Sequence, residues 1–415
     1  MTDTPKKAKR PTLGIDWYPQ SLPSDTDTTA ITLRTADGAA VLGTLYTRGT
    51  SRSVACLMHP REYFGAHYLV PALLDCGMAV WTQGARSIGN DLRLEHEQAV
   101  IDAATGIAYL RDRFERIVLI GNSGGSGVYS YYIQQSCLPP EERLAKSAVG
   151  KPTRFSEVDM PTVDGMVYLA PHPGQGRLLM GCIDPSVTDE NDALSVDPAL
   201  DPFNEDNGYA PEPGQSRYSP EFVERYRQAQ RARVEKLDDI ARNLIQRRQS
   251  ARRQIKEGAT ERNLRLQAAH TPIITVWRTD ADLRCLDLSL DPSDRAPGSV
   301  WGNDLLVSNY GAVGFGRLCS PESWLSTWSG VSSQAALEKT APSVTVPTLL
   351  VEYTGDQTTF PLQIQEIFSW IGAADKHHVR VRGDHHGRPL NGDEAPGRTA
   401  AAKEISSWLA SRGFV

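Results

Sequence analysis

Three side chains in this sequence have the types and positions needed to make an alcohol reactive. The first is Ser123, in the run Arg116-Ile117-Val118-Leu119-Ile120-Gly121-Asn122-Ser123-Gly124-Gly125-Ser126-Gly127. The second is Asp356, which follows the apolar run 348–353 through Thr354-Gly355, and the third is a histidine, His385 or His386, which follows the run 378–382 through Gly383-Asp384. A serine hydroxyl is a weak nucleophile at neutral pH, so an imidazole must take its proton during attack and return it to the leaving group. A carboxylate holds that imidazole in the productive tautomer and stabilises its cation. The backbone N–H of Gly124, directly after the serine, can face a substrate carbonyl oxygen as half of an oxyanion hole, where losing one donor typically costs ~10²–10³ in rate. An acyl-serine would form and water would release it, with no cofactor called for.

The neighbouring elements must put these groups in place. A short apolar, β-branched run ended by a glycine cluster predicts a buried strand that stops abruptly, and residues 128–137, without Pro or Gly, predict the start of a helix. Ser123 is then the apex of a strand, sharp turn and helix, with Gly121 and Gly125 letting two backbones pass close to it. The plain alternative is a βα turn or a phosphate loop, but no Lys follows the second Gly and no G-x-G-x-x-G is present in the run. For Asp356 the alternative is a turn aspartate after Gly355. Metal ligation by His377, His378, His385 and His386 lacks a supporting H-E-x-x-H or Cys/His cluster.

Residues 31–46 predict two alternating strands around an Asp37-Gly38 turn. Val54 to Met58 predicts a buried strand ending in His59-Pro60-Arg61-Glu62, followed by a helix over 68–75, a strand over 78–82 and a helix within 90–113. A strand over 166–170 continues the alternation. Strands alternating with helices indicate a mostly parallel sheet covered on both faces. From Pro171 to about Ala210 the chain is rich in Asp, Pro, Gly and Asn, and a segment of that length is usually functional. Ser219-Pro220 supplies an N-cap and a first-turn proline for a long charged helix reaching about Lys256. Its arginines are interspersed with Glu224, Glu235, Asp238, Asp239 and Glu257, as on a solvated face. Residues 273–277 and 283–290 resume strand character, and 311–330 is irregular. A strand over 348–353, another over 378–382 and an amphipathic helix over 399–413 close the chain.

The expected organisation is therefore a lead-in over 1–25, a core over 26–170 and 345–415, and an inserted cap over 171–344, helix-rich at 219–257 and mixed at 270–344. Such a chain can easily bury a core. Lys and Arg number 44 against 50 Asp and Glu, a net charge of −6, which argues against a nucleic-acid partner. Six scattered cysteines, Cys56, Cys76, Cys137, Cys182, Cys285 and Cys319, form no C-x-x-C pair, and several lie in apolar runs as expected of buried thiols, which fits a reducing compartment. Residues Met1 to Pro11 are polar without an apolar core, so they predict a loose tail and no secretion signal. No stretch approaches the roughly 18 apolar residues of a membrane span. A soluble, cytoplasmic protein with a small-molecule substrate is the expectation, and the charged cap region suits either a lid or a homodimer contact.

The order Ser, Asp, His, each at the carboxyl end of a strand, resembles the α/β-hydrolase superfamily, over about 31–58 and onward to 170 and again from Val346 to the C-terminus. Residues 57–125 look like a bacterial group of hydrolases of poorly defined substrate. The resemblance implies an α/β-hydrolase fold with a large cap between the strand ending near Ala170 and the strand starting near Thr348, and Ser123 as nucleophile with Asp356 as acid. By the family's Gly-x-x-His spacing it implies His386 as base, with His385 as the alternative. It also implies that the loop after Val54–Met58 gives the second oxyanion N–H. The usual His-Gly reads His59-Pro60 here and proline has no N–H, so that role passes to Arg61 or a neighbour. The expected activity is a serine esterase whose pocket is lined by His59, Phe315, Trp324 and Trp328. The same triad could act on a C–C bond, thioester, lactone or amide, and a non-catalytic ligand-binding protein on the same fold is the reading from another class.

Overall fold

The computed structural model describes residues 21–211, 214–302 and 304–415; the tail expected over Met1 to Pro11 lies outside them. Eight strands form the central sheet: β1 (Asp27–Arg34), β2 (Ala40–Thr47), β3 (Ser53–His59), β4 (Ala79–Gly84), β5 (Arg116–Asn122), β6 (Gly165–Leu169), and, later in the chain, β9 (Thr348–Tyr353) and β10 (Lys376–Val381). Their order is β1-β2-β4-β3-β5-β6-β9-β10. The β1–β2 and β2–β4 pairs are antiparallel and all others parallel. The remaining two, β7 (Ile274–Thr275) and β8 (Leu318–Cys319), pair only with each other.

The unbroken apolar runs of β3 and β5 follow from burial on both faces. Because side chains alternate along a strand, Val54, Cys56, Met58, Ile117 and Leu119 enter one core, and Ala55, Leu57, Val118 and Ile120 the other. Helices α2 (His96–Arg111) and α3 (Gly124–Ser136) cover the first face, and α1 (Leu69–Asp75) covers the second with the C-terminal helix α12 (Gly397–Ser411).

Between β6 and β9 the chain leaves the sheet for residues 170–347. It forms α4 (Gln175–Cys182), α5 (Pro220–Lys256), α6 (Arg262–Ala269), α7 (Leu283–Leu286), α8 (Leu305–Tyr310), α9 (Pro321–Ser323), one turn of π-helix (Trp324–Trp328) and α10 (Leu337–Thr340); α11 (Pro361–Trp370) follows β9. Helix α5 starts as its cap predicts, with Ser219 accepting from the Phe222 N–H at 3.2 Å and Pro220 in the first turn. Its inward stripe includes polar residues. Gln230 donates to the Gly181 and Ile183 carbonyls at 2.8 and 2.7 Å, and Arg233 reaches the Asp184 carbonyl at 2.6 Å. Arg248 pairs with Glu322. Not all of its arginines form a solvated face, since Arg233 and Arg248 are buried.

Two expectations need correction. Residues 283–290 are not a strand: Asp282 caps a short helix by accepting from the Arg284 N–H at 3.0 Å, and Asp287 accepts from Ser289 two residues beyond. The irregular 311–330 segment holds β8, α9 and the π-turn. No helix among the described residues is long and apolar enough to cross a membrane.

Candidate active site

Strand β5 ends at Asn122, and Ser123 takes φ 52° and ψ −121° before α3 begins at Gly124. A serine rarely adopts a positive φ, so the turn is strained and its neighbours must hold it. The Ser123 N–H donates to the Leu169 carbonyl of β6 at 2.9 Å, and the Ser123 carbonyl accepts from the Ser126 N–H at 3.0 Å. Asn122 also donates to Leu169, at 3.0 Å, and its Oδ1 lies 3.2 Å from His67 Nε2. The glycines are sterically required: a Cβ at Gly121 would lie 2.6 Å from Ser126 Cα, and one at Gly125 2.2 Å from the Met58 carbonyl oxygen.

Asp356, at the end of β9, is buried with one oxygen held by its own loop. Oδ1 accepts from the Thr358 and Thr359 N–H groups at 2.6 and 3.2 Å, which leaves Oδ2 to face His385 Nδ1 at 2.7 Å. His385 Nε2 lies 3.0 Å from Ser123 Oγ. The three side chains therefore form one chain of hydrogen bonds, with the imidazole in the middle. Burial would lower the His385 pKa, but the Asp356 charge and hydrogen bond outweigh it, and the net direction is up from the ordinary value.

The histidine that the structure brings to Ser123 is His385, a correction of the expected His386. The Gly387 N–H donates to the Asp384 carbonyl at 2.8 Å, closing a turn with His385 and His386 at its two central positions. Adjacent side chains on such a turn diverge, and Asp384 Oδ1 fixes the corner by accepting from the His386 and Arg388 N–H groups at 2.9 and 2.8 Å. Burial first, then His385 and Arg388, push the His386 pKa well below the ordinary value.

The Gly124 N–H opens α3 directly after Ser123, but the Arg61 N–H donates to His59 Nδ1 at 3.1 Å. Arg61 is thus not free to be the second oxyanion donor, and its guanidinium is tied to Asp91 at 2.8 and 2.9 Å. The guanidinium also lies over Trp328, 5.0 Å from the ring centre, and over Phe315 at 6.0 Å. Trp324 and Trp328 have no exposed surface, and Trp324 Nε1 donates to Asp238 of α5 at 2.8 Å. Both tryptophans belong to the core of the insertion instead of lining an open pocket; Phe315 is also buried, against Trp301.

His59 does reach the site, with its ring against Gly124. The sequence reading missed His172 and His96. His172 stands after β6, in Pro171-His172-Pro173, with Nδ1 accepting from the Gly174 N–H at 3.2 Å; burial, then His385 and His96, lower its pKa to about 3. His96 Nε2 lies 2.6 Å from Gln175 Oε1, and burial lowers its pKa to about 4. A His-Pro pair at the end of β6, matching His59-Pro60 at the end of β3, was the available signal, because ligands of open α/β sheets gather at strand carboxyl ends. Among the described residues no group of three or more His, Cys, Asp or Glu is placed to hold a metal ion.

No family model and no curated protein matches this sequence. Among solved structures the chain is similar to DcsB in complex with a substrate analogue, at 13% identity over 93% of this chain and 99% of the other, with a TM-score of 0.49. A hypothetical protein from Pseudomonas aeruginosa aligns at 12% identity over 97% and 99%, TM-score 0.49. An esterase from Pyrococcus furiosus aligns at 12% identity over 98% of each chain, TM-score 0.46. The fold assignment rests on the molecule's own topology. With β2 antiparallel in an otherwise parallel order, the serine turn between β5 and α3, and the carboxylate and imidazole after β9 and β10, this chain has the α/β-hydrolase fold.

Proposed function

We propose that the protein is a serine hydrolase that cleaves a carboxylic ester of a small to medium organic substrate through an acyl-serine intermediate. The observation that carries this reading is the His385 imidazole, which holds Asp356 on one nitrogen at 2.7 Å and Ser123 on the other at 3.0 Å. Nδ1 donates to the carboxylate, so Nε2 is left to accept the Ser123 proton. As the Oγ–C bond forms, that proton passes to Nε2 and the carbonyl π pair moves onto oxygen. Collapse of the tetrahedral species breaks the bond to the leaving alkoxide, which takes the proton from His385. Water then repeats both steps on the acyl-serine. The insertion over 171–344 serves as the cap that selects the substrate, a reading supported by its seam with α2 next to the site.

Incubation with a fluorophosphonate tests the nucleophile. Wild-type protein becomes labelled at Ser123 and Ser123→Ala does not; an unlabelled, folded wild type would overturn the reading. A panel of p-nitrophenyl esters, anilides, acyl-thioesters, lactones and vinylogous diketones tests the bond. Preference for any class other than esters keeps the triad and replaces the ester assignment.

A further inference from the structure

Strand β3 ends in His59-Pro60-Arg61-Glu62, and the hydrogen bonds of this corner converge on one ring atom. The N–H groups of Arg61 and Glu62 both donate to His59 Nδ1, at 3.1 and 3.0 Å. Pro60, between them and the ring's own residue, has no N–H to give. An imidazole nitrogen that accepts two donors carries no proton, so in the neutral ring the hydrogen sits on Nε2. Among the described residues Nε2 makes none of the hydrogen bonds found, although the residue is only 6% exposed. Nε2 is also the ring atom closest to the serine turn: a Cβ at Gly124 would lie 2.8 Å from it and 3.4 Å from each flanking ring carbon.

We propose that His59 is a catalytic hydrogen-bond donor, its Nε2–H joining the Gly124 N–H to hold the oxyanion that forms on Ser123. The inference rests on the ester-hydrolase reading and replaces Arg61 as the second donor. The corner that removes the loop's backbone N–H groups from the site is the same one that fixes the ring and its tautomer, so the loop presents a side-chain donor where a backbone donor is lost. Such a donor works best when held in place before charge develops, and neutral histidine can play this part. Burial first, then the Arg61 charge, keeps the ring far from protonation, so it retains one acceptor and one donor over the working pH range. His59 gives up no proton in the cycle. The π pair that moves onto the carbonyl oxygen is stabilised by two N–H groups, and returns to the C–O bond when the leaving group departs.

The experiment compares wild type, His59→Leu, His59→Gln and His59→Asn with p-nitrophenyl acetate, and with a trifluoromethyl ketone that forms an oxyanion on the serine. His59→Leu lowers kcat by about 10²–10³ with KM nearly unchanged, and weakens the ketone by a similar factor. His59→Gln, whose amide N–H reaches about as far as Nε2, recovers about tenfold or more of that loss. The acid limb of the pH profile, set by His385, stays in place in all of them. A folded His59→Leu with wild-type kcat overturns the proposal, as does equal impairment of Leu and Gln variants with a displaced acid limb. If His59→Leu does not fold, equal kcat in His59→Gln and the shorter His59→Asn overturns it. Fluorophosphonate labelling of wild type separates the two readings: unlabelled wild type removes both, while labelled wild type with a fully active His59→Leu removes only this one.

Discussion

His385 is subject to two opposed influences, and on the proposed mechanism their balance sets the working pH. Burial favours the neutral ring, while the Asp356 charge and the 2.7 Å hydrogen bond favour the cation, and the cation gains. The base must be neutral to accept a proton, so activity is expected to fall on the acid side through a pKa above the ordinary 6.5 of histidine. Stability runs the other way: a raised folded pKa contributes stability that is present below the unfolded pKa and is lost as pH rises through the folded one. In Asp356→Asn the opposition disappears, so the acid limb of kcat/KM should move to lower pH while kcat drops by about 10⁴. An unmoved limb would mean that another group titrates there. His385→Ala should lose a comparable factor and His386→Ala almost none, as single-turnover rates would show. Ser123 and Asp356 were legible in the sequence because each follows a short apolar run and a glycine. The choice between adjacent histidines was not legible from family spacing, although Asp384 and Gly387 at the ends of a β-turn held the geometric clue.

The strand-to-helix junction depends on an approach that only glycine permits. Any Cβ at Gly125 would lie 2.2 Å from the Met58 carbonyl oxygen, a backbone atom that cannot swing aside as a flexible side chain could. Gly125→Ala must therefore push α3 away from the end of β3, at a cost of about 1–3 kcal/mol for an overpacked site. It should also lower activity more than stability, because Ser123 and His59 sit on the two elements forced apart; equal kcat in a destabilised variant would sink that coupling. Denaturant midpoints with steady-state kinetics on the same preparations decide it. The sheet was readable because its strands are buried on both faces and their apolar runs are continuous. Helix α5 was readable from Ser219-Pro220. Residues 283–290 were misread because apolar residues at every second or third place there serve a four-residue helix and Asp-centred turns. The Trp324–Trp328 π-turn carries no local signal, since its burial is made by α5 and by the segment before α2.

At the scale of the whole molecule, the excursion between β6 and β9 is joined to the sheet domain by a buried polar seam. Ser326 Oγ accepts from the His96 N–H at 2.9 Å and donates to the Glu97 carboxylate. Thr327 donates to the Leu94 carbonyl at 2.8 Å and Ser323 to the Asp91 carbonyl at 2.5 Å. Leu94, which precedes α2, packs inside the same apolar cluster as Trp324 and Trp328. Chain segments from both sides therefore complete one another's cores, and neither can open without exposing surface of the other. Glu97 is buried, and burial raises its pKa against the bond from Ser326. Ser326→Ala removes that donor and leaves the carboxyl short of a partner, a loss of about 1–3 kcal/mol. If the two parts unfold as one unit, calorimetry shows a single transition in wild type and variant, displaced as a whole to lower temperature. A variant whose thermogram splits, with the later peak where the wild-type peak stood, would mean that the sheet domain holds itself together and the insertion only rests on it. The seam also lies close to the candidate site, because His96 Nε2 is 2.6 Å from Gln175 Oε1, at the start of the α4 helix that follows His172. A substrate that seats the insertion more firmly should therefore raise the transition temperature of Ser326→Ala by more than that of wild type.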